Sequence, residues 1–80
     1  MNNKSADINQ IKEIVAKALS CTTDSIHLDS GLSRHEKWDS LGQIQIIVEI
    51  EDAYGIKVNE SNIDHFTTIQ KIYDYLNGNR

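Results

Sequence analysis

Apolar residues recur at every third or fourth position in three stretches of the chain: residues 7–20, 40–54 and 68–77. This spacing places them on one side of a helix and is typical of amphipathic helices that pack on a core. Residues 60–66 are long enough for only one or two helical turns. The pattern therefore predicts an all-α fold, a small antiparallel bundle of three main helices plus one short helix.

The residues at the ends of these segments agree with the predicted helices. Asp7 and Thr67 are placed to cap the first and last helices at their N-termini. Gly55 and Gly78 follow the second and last helices, at the position where glycine commonly ends a helix. Proline, which would break a helix, is absent from the sequence.

Residues 21–39 form a long connection between the first and second helices, without a helical pattern of their own. Connections of this length are uncommon in compact domains and are usually functional. Three apolar residues, Ile26, Leu28 and Leu32, are expected to fasten the loop to the bundle. The loop leads to Ser40 at the start of the second helix, where we therefore look for a site.

The second helix carries apolar residues on two sides. At about 100° per residue, one broad stripe forms the expected core face: Ile46, Ile47, Ile50, Ala53 and Tyr54. Leu41, Ile44 and Val48 lie on roughly the opposite side, and we call them the second stripe. Either the bundle wraps further around this helix, or the second stripe faces solvent. Exposed apolar groups rimmed by charge usually mark an interaction site.

The composition suits one small domain without covalent cross-links. The chain has 80 residues, and its single cysteine, Cys21, excludes an internal disulfide. No spacing of cysteine and histidine suggests a zinc site. We expect a single domain over residues 1–80, flexible over residues 1–6 and frayed over residues 78–80, that acts as a monomer.

The charge and hydropathy of the chain limit the classes of partner that it is expected to bind and the place where it is expected to act. The net charge of −4 argues against binding to nucleic acid or an anionic membrane and favours a partner with a basic surface. The N-terminal residues lack the apolar stretch of a signal peptide, and no run is long enough to span a bilayer. We therefore expect a cytoplasmic protein.

Asp39 and Ser40 stand at the predicted start of the second helix, preceded by Trp38. Asp39 fits an N-cap, while Ser40 with Gln43 fits the S-x-x-Q capping box, and either would satisfy otherwise unpaired amides. Attachment of a phosphate to Ser40 is compatible with capping, because a helix N-terminus favours negative charge. Trp38 is expected to pack and anchor the loop rather than to contact a substrate.

The segment Asp39-Ser40-Leu41 resembles the Asp-Ser-Leu motif of acyl and peptidyl carrier proteins. Residues 41–58 are similar to the family's second helix, and residues 63–76 to its third and fourth, so the resemblance covers essentially the whole chain. It implies that Ser40 receives 4'-phosphopantetheine from coenzyme A through a separate magnesium-dependent phosphopantetheinyl transferase. It also places Asp39 near the magnesium during loading, and implies a carrier with no catalytic residue and no metal of its own.

The resemblance further assigns the partner contacts. The second stripe matches apolar docking positions of the family, and four carboxylates match an acidic rim: Glu51, Asp52, Glu60 and Asp64. The implied partners are acyl-loading and acyl-processing enzymes with basic docking patches, which receive acyl or aminoacyl thioesters in fatty-acid, polyketide or related specialised biosynthesis. Many fatty-acid carriers have acids at the positions of Gly42 and Gln45 and a less basic segment at residues 34–37. These departures imply partners other than those of primary fatty-acid synthesis. The segment Trp38-Asp39-Ser40-Leu41-Gly42 resembles stand-alone carriers of specialised pathways or of polyketide and nonribosomal assembly lines.

Two other functions are alternatives to the carrier. A small helical interaction module without a prosthetic group would dock through the second stripe, and Ser40 would serve only as a cap. A hydrolase would use Ser40 or Cys21 as nucleophile beside a histidine. A structure without a histidine next to either residue would exclude the hydrolase.

Overall fold

A computed structural model, which describes residues 6–78, confirms the all-α bundle. Its three α-helices are α1 (Ile8–Leu19), α2 (Ser40–Tyr54) and α3 (Ile69–Leu76). Two 3₁₀ helices cover Thr23–Ser25 and Ile63–Phe66, and the second of these, here called the short helix, is the predicted fourth element. Residues 1–5 and 79–80, most of the ends expected to be flexible or frayed, lie outside the described residues. No helix within residues 6–78 has both the length and the apolar character that crossing a membrane requires.

Helix α1 runs antiparallel to both α2 and α3. Ala6 lies before the first turn of α1, and Asn77 lies just after the end of α3. The backbone N–H of Ala6 donates to Asn77 Oδ1 at 3.0 Å, and Asn77 Nδ2 donates to the Ala6 carbonyl at 3.1 Å. Burial raises the pKa of the Tyr54 hydroxyl, and the nearby Asp7 carboxylate adds to this rise, so the end of α2 lies beside the start of α1. The end of α1 meets the first turn of α2 at Gly42.

The core lies between the three helices and the loop of residues 20–39. Its largest fully buried side chains are Trp38, Phe66, Ile11, Ile26, Ile46, Ile50, Ile69, Ile72 and Val15. Complete burial of one such aliphatic side chain stabilises a fold by about 1.5–3 kcal/mol. The burial of Trp38 confirms that this residue anchors the loop.

Two predictions are wrong in detail: the burial of Ala53 on α2 and the identity of the N-cap of α3. Ile46 and Ile50 are buried as expected, but Ala53 is exposed. It lines an open depression beside α1, and its methyl group is too short to fill that space. The N-cap of α3 is Thr68, whose hydroxyl accepts the Lys71 N–H at 3.1 Å, and not Thr67.

The loop is fastened to α3 through its backbone. The Ser30 carbonyl accepts the Ile69 N–H at 3.0 Å, and the Leu28 carbonyl accepts the Gln70 N–H at 3.1 Å. A side chain at Gly31 would collide with the two residues that precede α3, so glycine permits this close approach. The Leu28 side chain is 47 % exposed, and the prediction that it helps to fasten the loop is therefore wrong. Its backbone does so, because the first amides of a helix lack acceptors of their own.

Candidate functional site

Ser40 is the first residue of α2 and is exposed to solvent. Asp39 is the N-cap: its Oδ1 accepts the Gly42 N–H at 2.9 Å, and its carbonyl accepts the Gln43 N–H at 2.8 Å. Within residues 6–78 no protein group accepts from the N–H groups of Ser40 and Leu41, as is usual for the first turn of a helix. A negatively charged group on the Ser40 hydroxyl would therefore lie close to two unpaired donors and the positive end of the helix dipole.

The capping box between Ser40 and Gln43 does not form, because the Gln43 side chain points into the core. It is 7 % exposed, accepts from Trp38 Nε1 at 2.6 Å and donates to the Phe66 carbonyl at 2.7 Å. This bridge joins the loop, the first turn of α2 and the short helix behind Ser40. The S-x-x-Q pattern did not predict this role, because Phe66 is distant in sequence.

Gly42 lies where the end of α1 and the loop both contact α2. A Cβ atom at this position would be 2.6 Å from Leu19 Cδ2 and 2.8 Å from the Lys37 carbonyl oxygen. In the sequence, only the glycine itself indicated this contact. Glycine inside a helix costs about 1 kcal/mol relative to alanine, so its presence there indicates close packing or a functional reason. The close approach holds the first turn of α2, and with it Ser40, against α1.

The second stripe faces solvent. Leu41, Ile44 and Val48 are 67 %, 59 % and 54 % exposed. Their spacing places them in one line along α2 that begins at the residue after Ser40. The bundle therefore does not wrap around this side of the helix, and the alternative in which it buries the second stripe is excluded.

The four carboxylates of the acidic rim differ in their surroundings. Glu51 is half-buried, and its Oε2 accepts the Val58 N–H at 2.9 Å, so part of this carboxylate supports the turn after α2. Asp52 is exposed and lines a shallow depression at the end of the second stripe. Glu60 and Asp64 are also exposed, but they lie before and within the short helix. Only the first two belong to the same helix as the second stripe.

Two of the three histidines make side-chain contacts away from the two candidate nucleophiles. His35 Nε2 lies 3.2 Å from Ser25 Oγ, His65 stacks on an aromatic ring, and the third histidine is exposed. No histidine in the described part of the chain forms a hydrogen bond to Ser40 or Cys21. The described residues therefore give the hydrolase alternative no support.

Comparison with known proteins gives matches over most of the chain. Residues 9–76 match the family model described as a phosphopantetheine attachment site. The acyl carrier protein of Aster yellows witches'-broom phytoplasma is 30 % identical over 70 residues, which cover 88 % of this chain and 92 % of the relative. Acyl carrier protein 3 of Ralstonia nicotianae is 29 % identical over 69 residues, covering 86 % of this chain and 79 % of the relative.

These matches, with the helical fold, define a carrier that has a phosphopantetheine attachment site. The chain belongs to the acyl carrier protein family. It is accordingly a carrier and not an enzyme, and its cofactor is 4'-phosphopantetheine. When attached, this group supplies a terminal thiol that holds an acyl group as a thioester. The exposed hydroxyl and unpaired amides at the start of α2 suit its phosphate.

Proposed function

We propose that Ser40 bears the phosphopantetheine arm, and that the chain presents acyl or aminoacyl groups on it to partner enzymes. The observation that carries this proposal is an exposed serine hydroxyl at the N-terminus of α2, directly before the exposed second stripe. Ser40 Oγ would be the nucleophile during loading by a phosphopantetheinyl transferase. Asp39 is exposed beside it, and its Oδ2 has no partner among residues 6–78 and is available to the magnesium of the transferase.

Replacing Ser40 with alanine is expected to abolish loading. The exchange leaves the fold intact, because Asp39 provides the cap, and surface substitutions usually change stability by only about 0.5 kcal/mol. Intact mass spectrometry after incubation with coenzyme A and a broad-specificity transferase should show one added arm on the wild type and none on Ser40→Ala. Ser61→Ala, at another exposed serine, is the matched control and should load fully.

Two outcomes would contradict the proposal. Loading of Ser40→Ala would place the arm on another residue. A wild type that several transferases leave unmodified would favour the interaction module without a prosthetic group.

The second stripe would bind the partner enzymes. An apolar line next to the attachment point lets one enzyme contact both the helix and the arm, and the tether raises the local concentration of the acyl group in that complex. Asp52 and the net charge of −4 complement a basic rim on the partner. The protein thus contributes recognition and positioning, while the chemistry takes place in the partner.

Val48→Asp is expected to weaken docking without unfolding the protein. Val48 is 54 % exposed, so a charge there is solvated in the free protein but would be buried in an apolar contact. A loss of about 1–2 kcal/mol at such a contact raises Kd roughly tenfold. Calorimetric titration with the transferase or an acyl-loading enzyme measures this change.

The control for Val48→Asp is Leu28→Asp, which introduces the same charge at an exposed apolar residue on the loop. This variant should bind partners as the wild type does. An unchanged Kd for Val48→Asp, or a fall in its melting temperature as large as that of a core variant, would refute the docking assignment.

We also propose that the protein works as a single, monomeric carrier domain in the cytoplasm, in a specialised pathway such as polyketide synthesis. The contact of Gly42 with Leu19 and Lys37 supports the choice of pathway, because an acidic side chain of the kind common in fatty-acid carriers does not fit there. The polar, uncharged Gln45 on the surface points the same way. Efficient malonyl loading by a fatty-acid malonyltransferase, at the rate seen for that enzyme's own carrier, would count against a specialised pathway.

A further inference from the structure

The side chain of Asn77 joins the segment before α1 to the end of α3. Asn77 is half-buried, and Ala6, its partner, is 3 % exposed and belongs to the core. Asn77 Oδ1 accepts the Ala6 N–H at 3.0 Å, while Nδ2 donates to the Ala6 carbonyl at 3.1 Å and to the Tyr73 carbonyl at 2.8 Å. We call these three hydrogen bonds the amide clasp. They need one acceptor and two N–H donors on the same short side chain, which only asparagine provides.

The residue after Asn77 makes this amide chemically labile. Asn77-Gly78 is the only Asn-Gly pair in the chain. In such a pair the backbone nitrogen of glycine attacks Cγ of asparagine, and glycine permits the close approach because it has no Cβ. The new N–Cγ bond forms as the Cγ–Nδ2 bond breaks, and ammonia leaves with the amide proton of Gly78. Water then opens the resulting succinimide at either carbonyl, which gives aspartate or isoaspartate.

The folded backbone keeps the two reacting atoms apart. Closure of the five-membered ring requires the Gly78 nitrogen to eclipse Cβ of Asn77 about the Cα–C bond. At the observed ψ of 13°, the Gly78 nitrogen instead nearly eclipses the backbone nitrogen of Asn77. The Gly78 N–H also donates to the Tyr75 carbonyl at 3.1 Å. Ring closure therefore requires the turn after α3 to unwind and the amide clasp to open.

We propose that Asn77 is a site of spontaneous deamidation, that the amide clasp controls its rate, and that the reaction makes opening of the clasp irreversible. An aspartate at residue 77 still accepts the Ala6 N–H, but it has no N–H for the carbonyls of Ala6 and Tyr73. Its negative charge lies at the C-terminus of α3, where the helix dipole disfavours an anion. Isoaspartate also lengthens the main chain by one carbon, so neither product can form the clasp again.

Deamidation acts at the end of the bundle that is remote from Ser40. The amide clasp lies at the start of α1, whereas the first turn of α2 contacts the end of α1 through Gly42 and Leu19. A helix of 12 residues separates the two places by about 18 Å. The reaction therefore loosens the start of α1 and the end of α3, and it leaves the start of α2 in place. The inference does not depend on the proposed attachment at Ser40.

The first experiment follows the reaction in the full-length wild type, in buffer and in concentrated urea at the same neutral pH. Mass spectrometry of the tryptic peptides measures the exchange of NH₂ for OH at residue 77, and an isoaspartyl methyltransferase labels the isoaspartate. Deamidation should be at least about tenfold slower in buffer, because only the opened fraction reacts. Asn62, which precedes Ile63, is the internal control and should stay intact in both samples. Equal rates in buffer and urea, or an intact Asn77 in urea, would overturn the proposal.

The second experiment measures the effect of the product with Asn77→Asp. Its melting temperature should fall by about 4–8 °C, the shift that the loss of one or two ordinary hydrogen bonds causes in a domain of this size. The matched control is Asn9→Asp, the same exchange at an exposed residue in the first turn of α1, which should melt as the wild type does. An unchanged melting temperature for Asn77→Asp would refute the irreversible opening. Both variants should accept the phosphopantetheine arm, and a wild type that fails to load would refute only the proposed function.

Discussion

Replacing Ile50 with aspartate is expected to leave most of the chain unfolded at neutral pH. The Ile50 side chain is fully buried on the core side of α2. The exchange removes about 1.5–3 kcal/mol of favourable burial, and an unpaired carboxylate in the core adds a penalty of several kcal/mol. Small domains have total stabilities near the lower end of about 5–15 kcal/mol. The expected cost therefore equals or exceeds the stability of the fold.

Circular dichroism and urea unfolding measure this effect, with Ile50→Val as the conservative control. The valine variant should remain folded and lose about 0.5–1.5 kcal/mol. Val48→Asp introduces the same charge two residues earlier, on the exposed side of α2, and should unfold nearly as the wild type does. A cooperative transition for Ile50→Asp within about 2 kcal/mol of the wild type would mean that the core side of α2 is wrongly assigned.

The second large effect is expected from Gln43→Leu. Leucine keeps the apolar volume, but Trp38 Nε1 loses its acceptor and the Phe66 carbonyl loses its donor, both in the core. Each buried polar group left without a partner costs about 1–3 kcal/mol, so the free energy of unfolding should fall by about 2–6 kcal/mol. Gln45→Leu, the same exchange at an exposed position on the same helix, should cost little.

The direction of the two hydrogen bonds can be tested by measuring how the stability of a Gln43→Glu variant depends on pH. A glutamate carboxylate can still accept from Trp38, but it has no proton to donate to the Phe66 carbonyl, whereas the protonated acid can do both. Burial and the Phe66 carbonyl therefore raise the pKa of this glutamate in the folded state above its unfolded value. The stabilisation from the protonated acid is complete below the unfolded pKa, about 4.3, and is lost as the pH rises through the folded pKa.

The observable for Gln43→Glu is the difference in unfolding free energy from the wild type at each pH. This difference should be small near pH 4 and large at pH 7. A difference that does not change with pH would show that Gln43 does not donate to Phe66. Trp38 fluorescence serves as a second probe, because Trp38 is the only tryptophan and is buried against this bridge.

Periodicity predicted the helices and the two sides of α2 because these properties depend on residues close in sequence. The apolar spacing placed α1 and α2 to within a residue or so. The surplus apolar residues on α2 left two alternatives open, and the structure shows that the second stripe is exposed. The prediction that Ala53 is buried failed because periodicity gives the direction of a side chain but not whether it is long enough to fill the space there. A methyl group at the end of α2 points towards α1 without filling the space between them.

The predictions that failed elsewhere depended on contacts between distant segments. Thr67 and Thr68 are equally good caps by residue type, and the choice follows from how the loop pairs with the backbone around them. Gln43 matches a local capping pattern, yet its partners come from the loop and the short helix. The proposal that Ser40 is the attachment residue rests on the motif that it resembles, since its local pattern is explained equally well by a helix start.

The backbone hydrogen bonds between the loop and the start of α3 have a consequence for hydrogen exchange. Helix α3 has only 8 residues, too few to be stable in isolation, and its amides at Ile69 and Gln70 are bonded to loop carbonyls. The loop and α3 should therefore open together as one cooperative unit. Hydrogen exchange at these two amides therefore reports on the opening of the loop that leads to Ser40, although both amides lie in α3, far from that loop in sequence.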